Sequence, residues 1–189
     1  MLDKEDQFIE AAKAGDAQSF RALYDHYIDP IFRFVYLKTN NREEAEDITH
    51  EVFLSSWQSL PSYVSRGLPF SSWLYRIARN KVIDHYRTRK VTLNLESVDE
   101  NLMRLVGSSE ESVNRTLDIE RVKRSLGRLS PDQKDVTIMR FIEDMSHAEI
   151  AIVLGKSEGA VRLIQHRAVE ALKDLLNNDK DEISKTTSV

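Results

Sequence analysis

Pro69-Phe70-Ser71-Ser72-Trp73-Leu74-Tyr75-Arg76-Ile77-Ala78-Arg79-Asn80-Lys81-Val82-Ile83-Asp84-His85-Tyr86-Arg87-Thr88-Arg89-Lys90 is the stretch on which the reading of the chain turns. Phe70, Trp73, Leu74 and Ile77 recur at i, i+3, i+4 and i+7, the spacing of one apolar helix stripe. Arg76, Arg79, Asn80, Arg87 and Lys90 fall on another sector of the same cylinder. Lys81 lands on the stripe and Ile83 points away from it, so the stripe is clean for only two turns. A core helix with a solvated basic back would look like this, and charge tilts the balance away from that reading. Pro61 to Lys90 holds seven Lys and Arg against one Asp, whereas Met1 to Leu60 holds six basic and twelve acidic residues. Val91 to Glu120 is acidic again, with two basic residues against seven. A basic island in an acidic chain is the footprint of a polyanion partner. Aromatic rings beside it suit unpaired bases, because stacking on a π-face needs no base pair.

The chain has 189 residues, enough for one domain or two small ones. With 41% hydrophobic and 31% charged residues, six Gly and four Pro, it is expected to be soluble, globular and helical. No apolar run approaches the length of a membrane span, and the N-terminus is acidic rather than signal-like. With no cysteine, disulfides, a thiol nucleophile and Cys-ligated zinc are excluded. The net charge of −4 makes weak DNA binding by the chain alone the expectation, since such affinity comes from releasing counterions with many cations. A second partner is therefore expected to help hold it on DNA. Five histidines (His26, His50, His85, His147, His166) are scattered, with no H-E-x-x-H and no Gly-rich phosphate loop. An enzyme is the weakest reading, and no catalytic residue, metal, cofactor or small-molecule substrate is expected.

Before the basic helix, Glu5 to Lys13 reads as a helix ended by Gly15-Asp16. Ala17 to Tyr27 follows, then a helix opened by Pro30 and running to Lys38. Asn41 with Glu44 fits a capping box for Arg42 to Ser59, whose Ala45, Ile48 and Val52 lie inward while Glu44, Asp47, His50 and Glu51 do not. After it, 91–114 reads as a linker, with Asn94, Ser97, Asp99, Asn101, Gly107, Ser108 and Ser109 and no sustained period, but carrying Leu93, Leu95, Leu102, Met103, Leu105 and Val106. Its reach is roughly 80 Å when extended, about two turns of duplex at ~34 Å per turn. Helix resumes from Arg115, and Ser130-Pro131-Asp132-Gln133 is a further start signal. Ser146-His147-Ala148-Glu149 is another. Its short helix, the Gly155-Lys156-Ser157 turn and a helix from Glu158 to Leu176 make a helix-turn-helix pattern. Arg162, Gln165, His166 and Arg167 are suited to base edges and phosphates. Residues 177–189 read as a disordered tail.

Three segments together resemble the bacterial extracytoplasmic-function (ECF, group 4) sigma factors of the sigma-70 family. Glu44 to Leu54 is similar to their acidic polymerase-binding helix, Phe70 to Arg89 to their −10-reading region, and Ser146 to Ala168 with Leu172 to their −35-reading helix-turn-helix. The resemblance implies an all-α fold of two small helical domains joined by a flexible linker. Region 2 would span 5–90 (polymerase binding, −10 recognition and melting), and the region 4 helix-turn-helix would span 115–176. It implies partners: core RNA polymerase through its clamp helices and flap, promoter DNA that is double-stranded at −35 and single-stranded at −10, and an anti-sigma factor. It implies the bacterial cytoplasm, with an anti-sigma factor able to hold the chain at the membrane. Asp47, His50, Glu51 and Trp57 map to the polymerase-binding face. Arg76, Asn80, Lys81 and Arg87 map to −10 DNA, and the Ser62 to Pro69 loop to the place where a flipped base is captured. Ser157, Glu158, Arg162, Leu163, His166 and Arg167 map to −35 DNA. His50 stands where the family usually has Gln. In Gly159-Ala160-Val161-Arg162-Leu163-Ile164 the family usually has Thr before the Val and Lys-Ser-Arg after it, which leaves open whether Leu163 and Ile164 face thymine methyls or the core. The rival reading is a dimeric two-domain helix-turn-helix regulator that is no polymerase subunit; the acidic and the basic–aromatic helices count against it.

Overall fold

Helix ends fall where the sequence supplies caps. In the computed structural model, which describes residues 4–65, 67–93 and 124–186, α1 (Glu5–Lys13) stops ahead of Gly15. That glycine has φ +95°, a conformation costly for residues with a Cβ. Asp16 then caps α2 (Ala17–Thr39), accepting from the backbone N–H groups of Gln18 and Ser19 at 3.3 and 3.1 Å. The Ser19 hydroxyl, followed by these N–H groups, holds the Asp16 carboxyl below its ordinary pKa.

Helix α2 is unbroken, a correction to the two helices expected on either side of Pro30, which lies inside it. An interior proline costs about 3 kcal/mol through a lost hydrogen bond and a steric clash. Against that, Leu23, Tyr27, Ile31, Phe34 and Val35 are all buried along the helix, before and after the proline. Each fully buried apolar side chain contributes roughly 1.5–3 kcal/mol, so the continuous stripe wins. Tyr27 also donates its hydroxyl to the buried Glu5 carboxylate, and burial first, then Glu5, raises the phenol's pKa.

Asn41 opens α3 (Arg42–Ser59) by accepting from the Glu44 N–H at 3.2 Å, while the Glu44 carboxylate lies 3.3 Å from His85 Nε2. After a 3-10 turn at Leu60–Ser62 comes α4 (Phe70–Leu93). Its buried line is Phe70, Leu74, Ala78 and Val82 with Tyr75; Trp73 and Ile77, expected on the stripe, are only partly covered. The shift follows from packing: α4 lies against α2 and α3 and also against a helix of the second half.

The second half begins, among described residues, with a helical turn at 124–127 in which Ser125 and Leu126 are buried. Two reciprocal capping boxes follow. Ser130 with Gln133 opens α5 (Pro131–Phe141), and Ser146 with Glu149 opens α6 (His147–Leu154). Gly155, at φ +63°, reverses the chain, and the Lys156 N–H donates to the Ala151 carbonyl at 2.9 Å. Helix α7 (Glu158–Thr186) runs past Leu176 into the stretch expected to be disordered; no Gly or Pro between Leu176 and Thr186 interrupts it. The linker expected at 91–114 and the helix expected from Arg115 fall outside the described residues between 94 and 123, as do 187–189 of the tail.

The halves meet through α5 against α2 and α6 against α4. Asp135, 1% exposed, pairs with Lys38 and accepts from Arg79 Nε at 2.8 Å. Arg79 also donates to Asp132 at 3.0 Å. Glu143, its side chain 3% exposed, accepts both forks of Arg33 at 2.7 Å and the Tyr75 hydroxyl at 2.9 Å. The Glu143 bonds raise the pKa of Arg33, and burial followed by Glu143 raises that of Tyr75.

Candidate functional site

On α3 the residues at i, i+3, i+4 and i+7 from Asp47 are Asp47, His50, Glu51 and Leu54, and all four are exposed. Leu54 is 58% exposed, although it is a large apolar side chain on a helix with a well-filled inner face. Trp57 is half-buried, its ring centroid 4.8 Å from that of Phe20. Phe20, Tyr24, Phe53, Leu54 and Trp57 line an open cleft of about 570 Å³ beside His50 and Glu51. Apolar anchors ringed by charge are the anatomy of a protein-binding hot spot. Of the residues expected at a polymerase-binding face, His50, Glu51 and Trp57 border this cleft and Asp47 lies one turn before His50. Leu54 is not among the residues expected at this face; its position three residues after Glu51 is the signal the sequence offers for it.

A second site forms where the 3-10 turn meets α4. Tyr63, Phe70 and Trp73 make a three-ring cluster with centroids 4.9–5.3 Å apart. Tyr63, Val64, Trp73 and Arg76 line a cleft of about 250 Å³ together with Ser72, whose hydroxyl is buried without a hydrogen-bond partner among the described residues. An aromatic wall and a guanidinium can stack and hydrogen-bond one base. Of the residues expected at −10 DNA, Arg76 and Asn80 are exposed along α4. Arg87 is exposed further on, 3.9 Å from Asp84, a surface pair of little energetic weight. Lys81 instead leans on Glu51 at 3.3 Å, which ties the α4 and α3 surfaces together. Arg79, expected on the sector of Arg76, is turned to Asp132 and Asp135.

The third site is the first half of α7. Ser157 caps it by accepting from the Ala160 N–H at 3.2 Å, and Glu158 pairs with Arg162 at 3.3 Å. Arg162, Leu163, His166 and Arg167 are exposed at the i, i+1, i+4 and i+5 positions of one face. Leu163 is 49% exposed while Ile164 packs against the core, which resolves the pair in favour of Leu163 outward. Gln165 Oε1 lies 2.6 Å from His147 Nε2 on α6, so its acceptor is engaged within the helix-turn-helix.

Residues 23–92 match the family model of Sigma-70 region 2, and residues 125–174 match that of Sigma-70, region 4. The chain is 36% identical over 176 residues to the ECF RNA polymerase sigma factor BldN of Streptomyces coelicolor, an alignment covering 92% of this chain and 66% of BldN. It is 31% identical over 169 residues to the ECF RNA polymerase sigma factor SigL of Mycobacterium tuberculosis, covering 87% of this chain and 93% of SigL. The chain belongs to the ECF sigma factors of the sigma-70 family. Its fold agrees with that placement. The structure of CnrH in complex with the cytosolic domain of CnrY matches this sigma factor with a TM-score of 0.71 at 26% identity, covering 91% of this chain and 96% of the matched one. Regions 2 and 4 of the sigma factor contain the three sites: the α3 face and, apart from Ile152 of α6, the aromatic cleft in region 2, the α7 face in region 4.

Proposed function

We propose that this sigma factor docks on the clamp helices of core RNA polymerase through Asp47, His50, Glu51 and Trp57, with Leu54 as the apolar centre of the contact. Region 4 sits near the polymerase flap and reads double-stranded −35 DNA with Arg162, Leu163, His166 and Arg167, while Ser157 and Glu158 meet the backbone at the start of α7. The Tyr63–Trp73 cleft takes a flipped −10 base, and Arg76, Asn80, Lys81 and Arg87 hold the separated strand. The chain supplies recognition and leaves RNA synthesis to the polymerase. It works in the bacterial cytoplasm; an anti-sigma factor restrains it, as CnrY accompanies CnrH, and can hold it at a membrane. Among the described residues no helix is long and apolar enough to cross one.

The observation that carries this reading is the separation of the surfaces: an acidic, apolar-centred face on α3 and a basic face on α7, both open to solvent and in different regions. Energetics give polymerase its part. Taking a base out of the stack costs a few kcal/mol, and stacking it on protein returns about 1–3 kcal/mol. With a net charge of −4 the chain has little electrostatic surplus to close the gap. Docked on polymerase, each DNA-reading region raises the effective concentration of the other.

Run-off transcription on genomic fragments, with purified core polymerase with and without the chain, tests this. Defined start sites should appear only when the chain is present. Arg162→Ala should blur the choice among fragments and leave affinity for core polymerase unchanged. An equal loss of core affinity would show that Arg162 does not act on DNA.

A further inference from the structure

The basic face of α7 has an apolar centre. Leu163 is 49% exposed there, and Ile164 beside it packs on the core. At ~100° per residue, Leu163 lies about 40° from Arg167 and about 60° from His166 around the helix, and Arg162 directly precedes it. A lone exposed leucine is ordinary on a protein surface. One enclosed by groups that seek phosphates and base edges is carried against duplex DNA with them. Its neighbours one turn back are small. A helical side chain leans toward the N-terminus, over the residues three and four before it, and for Leu163 these are Ala160 and Gly159. Nothing lies within 4 Å of the place a Cβ on Gly159 would take, so there is room beside Leu163 for a group that projects from the floor of the groove. Leucine neither donates nor accepts a hydrogen bond. Amino, carbonyl and ring-nitrogen groups pressed against it lose water and gain no bond in return. The methyl group of thymine is the apolar feature that the major groove presents.

We propose that Leu163 is a specificity-determining residue that reads the methyl group of one thymine in the −35 duplex. Arg162 and Arg167 bring α7 into the groove, and Leu163 covers the methyl group once it is there. Another base at that position leaves a polar edge against the leucine, so the contact selects by penalty as well as by attraction. The proposal rests on the assignment of the α7 face to −35 DNA.

The test removes the methyl group and leaves every base pair in place. A promoter fragment selected by run-off transcription is made as a series of duplexes. In each, one thymine of the −35 element, on either strand, is replaced by deoxyuridine, which pairs with adenine as thymine does. Competition binding is measured with core polymerase carrying the wild-type chain, Leu163→Ala or Arg167→Ala. At one thymine the replacement should weaken wild-type binding about four-fold, equivalent to the ~0.8 kcal/mol of one buried methylene-sized group. Leu163→Ala should bind the thymine duplex more weakly and lose nothing further when that thymine becomes deoxyuridine. Alanine favours the helix and Leu163 is half-exposed, so this variant should keep the wild-type thermal midpoint. A methyl effect at no thymine, or one of equal size in Leu163→Ala, overturns the proposal. Arg167→Ala separates that failure from a deeper one. If it weakens promoter binding while Leu163 shows no coupling to a methyl group, α7 stays on DNA and only the methyl contact is lost. If neither variant changes promoter binding, α7 does not read DNA, and the proposal falls with that assignment.

Discussion

Phe34→Ala is expected to lower the stability of the first half by about 3–5 kcal/mol. Phe34 is fully buried one turn beyond Pro30, and its ring meets Tyr75 edge-on at 5.4 Å between centroids. Removing it opens a cavity between α2 and α4 that Ile31, Val35 and Leu74, each already packed in the same core, cannot fill without leaving their own places. The stripe that carries α2 through its proline loses its largest fully buried member, so the ~3 kcal/mol proline penalty is no longer comfortably outweighed. Both tryptophans, Trp57 and Trp73, lie in the first half, so their fluorescence during urea unfolding isolates that half from region 4. A loss below about 1 kcal/mol would mean that the site collapses easily and that α2 is not held by this stripe.

Leu54→Glu is expected to weaken core polymerase binding by at least about thirty-fold, the ~2 kcal/mol typical of a hot-spot anchor. The side chain is more than half exposed, so the substitution should leave the thermal unfolding midpoint in place. It would put a carboxylate into a cleft walled by Phe20, Tyr24, Phe53 and Trp57 and crowd a second negative charge beside Glu51. In the complex that charge would be desolvated without a partner. Fluorescence titration of labelled protein with core polymerase measures the effect. A change under threefold with intact folding would move the centre of the contact away from the α3 cleft.

Much of the architecture is legible from short-range chemistry. Asn41, Ser130 and Ser146 announce their helices because a cap is decided within four residues, and Gly155 marks the turn because its φ is positive. Pro30 misleads for the same reason: its local rule says stop, while the burial of Tyr27 and Ile31 on either side is a tertiary fact. Leu54 is hidden because an apolar residue on an amphipathic helix is assigned inward unless the partner is known. Leu163 and Ile164 are neighbours about 100° apart on the helix, so pattern alone cannot send one out and one in. The contact between the two halves is the least legible feature. Arg33 and Glu143 are 110 residues apart and Lys38 and Asp135 are 97 apart, and no periodicity links such positions.

In the proposed function, polymerase binding and promoter reading are located on different surfaces. The direct test is the affinity of core RNA polymerase for two full-length double variants, Asp47→Lys with Glu51→Lys on α3, and Arg162→Ala with Arg167→Ala on α7. The predicted result is that the α3 variant loses core polymerase while the α7 variant binds it like wild type and initiates at the wrong fragments or none. Normal binding by the α3 variant, or an equal loss in both, would contradict it.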